Sequence, residues 1–158
     1  MSLARISVLS ALAMAGLLAT ASPARADEAV SCQFIEISAS KTKDGGIDAD
    51  LKPLEKKLGK PPFSSYNTFR RLGRDERSLA PMKAESLTLK VGSAQVLLRD
   101  VDRREGKKPR VELAVTMDDA ERKRVLDTKV AVDGGDFLVL GRSLPNGDGH
   151  LLAMSCKL

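Results

Sequence analysis

The sequence predicts an all-β fold with one short helix, arranged as an antiparallel β-sandwich, with a closed β-barrel as the alternative. Three observations carry this expectation. Apolar and polar residues alternate at a spacing of two along much of the chain, turn-forming Asn-Gly and Gly-Gly pairs separate those runs, and Cys32 and Cys156 stand near the two ends. Only 3% of the 158 residues are aromatic, so the core is expected to consist of Val and Leu.

The first expected strand covers residues 31–40. Asp48 or Asp50 is placed to cap a helix over 49–59 that uses Leu51, Leu54 and Leu58 as its buried stripe. Pro53 falls near its first turn, where proline is tolerated, and Gly59 is the stop after Lys56 and Lys57. Further strands are expected at 64–72, 85–92, 94–103, 110–117, 124–132, 136–142 and 150–157. Val111, Leu113, Val115 and Met117 alternate with Glu112, Ala114 and Thr116, and Leu87, Leu89 and Val91 with Thr88 and Lys90, which is the rhythm of a half-buried strand. In the last run Leu152, Met154, Cys156 and Leu158 share a face, pointing Cys156 inward. Gly106-Lys107-Lys108-Pro109, Asp133-Gly134-Gly135 and Pro145-Asn146-Gly147-Asp148-Gly149 are the expected tight turns. Strands joined by such turns imply an antiparallel meander.

Residues 1–26 read as a signal peptide: Arg5 provides the basic start, Ile6 to Ala21 the apolar stretch, and Ala24-Arg25-Ala26 the small residues at the cleavage positions. The apolar run is shorter than the roughly 20 residues a spanning helix needs. The remainder, 27–158, has the length of a single β-rich domain with no transmembrane segment, expected in a bacterial periplasm or secreted. The leader removes two of the 26 basic residues and none of the 21 acidic ones, leaving a net charge of +3, too mild to define a partner. In an oxidising compartment a Cys32–Cys156 disulfide is expected, closing nearly the whole mature chain and contributing roughly 5 kcal/mol on the chain-entropy view. The pair lacks the Cys-x-x-Cys spacing of redox-active thiols, so its role reads as structural.

Catalytic chemistry finds little to stand on. His150 is the sole histidine and lies beside a turn, where an exposed hairpin residue is expected. Asp118-Asp119 and Asp133/Asp136 border turns, where aspartate serves the backbone. The Asp44-to-Asp50 stretch lacks the regular acid spacing and distal glutamate of a calcium loop. No phosphate or dinucleotide fingerprint occurs, and no cofactor or metal is expected.

Binding chemistry is better represented. Phe63, Tyr66 and Phe69 crowd into Pro61-Pro62-Phe63-Ser64-Ser65-Tyr66-Asn67-Thr68-Phe69-Arg70-Arg71-Leu72, and rings beside Arg70 and Arg71 are the composition of a partner-binding hot spot. The same rings also suit the core of so aromatic-poor a chain. Arg103, Arg104, Lys107, Lys108 and Arg110 form a basic cluster able to attract polyanions, although the interleaved Asp100, Asp102 and Glu105 equally describe a solvated hairpin tip.

The Pro-Phe-x-x-Tyr-x-x-Phe string, after the helix-like Asp48-to-Lys60 segment and before several strands, resembles a group of uncharacterised small exported bacterial proteins that carry this signature. The likeness runs from about Ile47 onward. It implies a cell-envelope domain, and nothing about catalysis. The expectation is therefore a non-enzymatic exported protein that binds an envelope protein through a sheet edge or the Phe63-to-Arg71 region. A binder of anionic polysaccharide, lipid head groups or other polyanions is the alternative, and specific nucleic-acid binding is disfavoured by export.

Overall fold

A computed structural model describes residues 29–158. The expected leader lies outside the described residues. Nine strands are present among the described residues: β1 (Val30–Ser40), β2 (Gly46–Ile47), β3 (Thr68–Leu79), β4 (Ala84–Thr88), β5 (Ser93–Asp102), β6 (Arg110–Asp118), β7 (Arg124–Asp133), β8 (Leu138–Ser143) and β9 (Gly149–Lys157). They form two sheets, one in the order β2-β3-β1-β9-β8 and one in the order β4-β5-β6-β7. This is the sandwich, and the two separate sheets rule out the closed barrel. The second sheet is the expected meander, whereas the first is not, because β1 and β9 lie side by side at its centre.

The sandwich core follows from alternation. On β6, Val111, Leu113, Val115 and Met117 are at most 1% exposed, each side chain gaining about 1.5–3 kcal/mol by leaving water. They meet Val30, Cys32, Phe34, Leu152, Met154 and Cys156 from the first sheet. Cys32 and Cys156 are directly opposed across β1 and β9 and joined by a disulfide, so the bond links neighbouring strands of one sheet and spans 124 positions of sequence. Cys156 points inward as its parity requires, while Leu158 is exposed.

β1 and β9 are buried on both faces, which explains their nearly continuous apolar sequence. The second face, with Ile35, Ile37, Ala39, Leu151 and Ala153, is covered by Leu51, Leu54 and Leu58. These belong to a 3-10 turn (Ala49–Leu54) running into the short helix α1 (Glu55–Leu58), where the helix was expected. Asp48 does not cap it through its side chain. Its carboxylate instead accepts from Arg70 Nη1 and the Arg71 amide, both at 2.8 Å, and these contacts hold the carboxyl below the usual aspartate range.

Three features of the strand pattern differ from expectation: the two-residue β2 is an addition to the eight expected strands, the strand expected at 85–92 stops at Thr88 because Leu89 to Gly92 closes a hydrogen-bonded turn, and the strand expected at 64–72 is displaced. Phe63–Ser65 is a 3-10 turn, and β3 starts at Thr68 and continues to Leu79. The extension of β3 beyond Leu72 was invisible to periodicity because Gly73-Arg74-Asp75-Glu76-Arg77 is held by backbone pairing with β1 rather than by an apolar face. The turns at Gly106, Gly135 and Gly147 have φ of 67°, 80° and 87°, as their sequences predict.

Candidate functional site

The five expected partner-binding residues do not share one surface. Phe69 is 7% exposed and belongs to the core beneath α1. Arg70 and Arg71 lie on β3, where Asp48 and Asp50 pair with them. β1 and β9 separate β3 from β8, about 14 Å at the usual strand spacing. Phe63 and Tyr66 are half-buried and dock beside β8 and β9. Two glycines make their seats. A Cβ on Gly141 would collide with Leu151 and come within 3.1 Å of Phe63, and one on Gly149 would lie 2.9 Å from the Tyr66 ring. Gly141→Ala and Gly149→Ala are each expected to cost about 1–3 kcal/mol through overpacking, read as a shift in the denaturation midpoint; unchanged midpoints would show the rings to be loosely held.

The docked rings leave a shallow groove of about 90 Å³ lined by Pro62, Phe63, Tyr66, Gly141, Arg142, Ser143 and Leu151. The groove runs beside β8, which pairs only with β9 among the described residues, so its outer backbone edge is open. The other edges carry charge. β3 presents Arg70, Arg71, Arg74, Asp75, Glu76 and Arg77, all in ion pairs, β7 presents Arg124, Asp127 and Lys129, and β4 has Glu85 paired with Lys83. β8 reads Leu138-Val139-Leu140-Gly141-Arg142-Ser143, with one charge. That charge is unanswered: Arg142 Nε is buried and has no hydrogen-bond partner among the described residues.

The basic cluster is largely compensated. Arg104 and Arg110 share Asp133 at 2.9 and 3.0 Å, and Lys108 meets Asp136 at 2.8 Å. Arg110, with Arg104, holds the Asp133 carboxyl below its ordinary value, and Asp136 raises the Lys108 ammonium above its own. Arg103 is also engaged, which leaves Lys107 as the outlying member. This is the solvated hairpin tip rather than a concentrated positive field.

His150 departs most from expectation. Far from exposed, it is 1% accessible, and its Nε2–H donates to Glu36 Oε1 at 2.8 Å, with Glu36 itself 4% accessible. The carboxylate can only accept, which fixes the proton on Nε2. Glu36 Oε1 also takes the Val91 amide at 3.1 Å and Oε2 the Lys90 amide at 2.8 Å. Both amides are aimed by the β4–β5 turn, closed by Leu89 N–H to the Gly92 carbonyl, with Gly92 at a φ of 93°. Burial alone pushes Glu36 up, yet the His150 hydrogen bond, the two amides and attraction to His150 outweigh it, holding the carboxyl below its ordinary 4.5. The pair thus fastens the first sheet to a turn of the second. Its signal was present in the sequence: Glu36 has the inward parity of Cys32 and Phe34, and His150 that of Leu152 and Met154.

No helix among the described residues is long and apolar enough to cross a membrane. No protein-family model, no curated protein and no solved structure matches the chain.

Proposed function

We propose that this is a non-enzymatic exported module of the bacterial cell envelope that binds another protein by accepting an extended segment onto the edge of β8. The observation that carries the reading is the open, nearly uncharged β8 beside the Phe63 and Tyr66 groove, with Arg142 Nε buried and unpartnered. An open apolar edge is a template for strand addition, and charge protects the alternatives. Successive residues of an added strand project to opposite faces. The residue opposite Gly141 would therefore offer an apolar side chain to the groove, and its neighbour opposite Arg142 a carboxylate. A second copy of β8 lacks that acid, which favours a different chain. The polyanion alternative finds less support, because Asp133 and Asp136 already answer much of the 103–110 cluster.

The test is selection of displayed extended peptides on the purified 27–158 chain. Enriched sequences are expected to place an acidic residue next to an apolar one, to slow amide exchange across Leu138–Ser143 on binding, and to lose affinity at least tenfold with Arg142→Glu. Peptides without an acid, or binding indifferent to Arg142→Glu, would refute the reading.

A further inference from the structure

We propose that the cleft on the opposite flank, between β3 and β4, is a binding site for a free α-amino acid with an apolar side chain. It encloses about 350 Å³, the scale of a small-molecule site, and Phe34, Leu87, Leu89 and Leu152 supply its apolar walls. Phe34, Leu87 and Leu152 are core residues, so these walls are fixed rather than adaptable.

Glu36 stands at the floor. Its Oε2 accepts only the Lys90 amide among the described residues, leaving acceptor capacity for one more donor. Gly73 places no side chain over that oxygen. It pairs with Glu36 next to the register shift in β1 and β3, and a Cβ built on it would sit 3.6 Å from Oε2. Bulges of this kind recur where a strand turns a side chain toward a site.

Of the cations on the rim, Arg74 is occupied. Its Nε and Nη2 donate to the Gln33 amide oxygen, in the orientation they dictate, and Nη2 also meets Glu76. Asp75 is paired with Arg77. Lys90 makes no side-chain ion pair among the described residues, and because its own amide bonds Glu36, its ammonium starts one side-chain length from the carboxylate. An acceptor and a free cation so close, above apolar walls, complement a donor and an anion carried on neighbouring atoms of an apolar molecule. The α-ammonium, α-carboxylate and side chain of leucine or phenylalanine have that arrangement.

Calorimetric titration of the 27–158 chain with L-leucine and L-phenylalanine is expected to give saturable one-site binding and a matching rise in melting temperature. Removing either head group, as in 4-methylpentanoate or 3-methylbutylamine, is expected to weaken binding at least tenfold, as is Lys90→Ala for the intact amino acids. Gly73→Leu should abolish binding while leaving the fold intact, since the Gly73 backbone is one that any residue adopts. Absence of heat with both amino acids, equal binding of the deaminated analogue, or full binding by Gly73→Leu would each overturn the proposal. β8 variants serve as the control: Arg142→Glu should bind leucine like the wild type, which separates this site from the edge proposed for a protein partner.

Discussion

Glu36→Leu is expected to destabilise the fold by about 3 kcal/mol, more than any other substitution of a single polar residue among the described residues. The carboxylate is the acceptor for three donors, His150 Nε2 and the amides of Lys90 and Val91. A buried or half-buried donor deprived of its acceptor costs about 1–3 kcal/mol, and the leucine side chain regains part of that by apolar burial. Urea unfolding measures the difference, and a loss under about 1 kcal/mol would mean that the pair does not hold the two sheets together. The same contact sets an acid limit. The folded carboxyl titrates below its ordinary 4.5, so its contribution is complete above that pH and disappears as pH falls through the lower, folded value. The wild type should therefore lose stability more steeply than Glu36→Leu as pH drops below about 4.5. Parallel curves for the two proteins would show that Glu36 is not the group responsible.

Cys32→Ala/Cys156→Ala is expected to cost roughly 5 kcal/mol on the chain-entropy model, since the bond restricts a loop of 124 positions in the unfolded chain. Both sulfurs are buried in the sandwich core, and alanine there also leaves unfilled volume. For a domain of this length that is a large share of total stability, so the double variant should be partly unfolded near 37 °C. Comparison of urea midpoints with and without reductant checks this; wild type and double variant unfolding at the same midpoint would refute it. The disulfide is compatible with an oxidising compartment outside the cytoplasm.

Much of the fold was legible because a strand's two faces write themselves into sequence. β5, β6 and β9 carry an inward apolar set at every second position, and the glycine turns between strands announce their backbone conformation. The far half of β3 was not legible, since an edge strand stabilised by its neighbour's backbone needs no apolar stripe. The site was legible in part. Phe63 and Tyr66 stand out as an aromatic cluster, but their seats at Gly141 and Gly149 are about eighty positions away, and local pattern carries no information about such a distance. Adjacency alone groups Arg70 and Arg71 with the rings, and the sheet puts them on β3, with β1 and β9 between it and β8. His150 departs from its expected exposure because local sequence shows only the exposed Pro145-Asn146-Gly147 turn just before it, whereas its environment is set by a carboxylate 114 positions earlier.

The central pairing of β1 with β9 also governs when this molecule is able to fold. β9 follows every other strand among the described residues, yet it fills the slot between β1 and β8. A nascent polypeptide truncated before Gly149 has β8 with no hydrogen-bonding neighbour and β1 with a bare side, so acquisition of the native state waits for the final strand. Such long-range closure makes folding slow, because the entropy of bringing β1 and β9 together is spent before their contacts repay it.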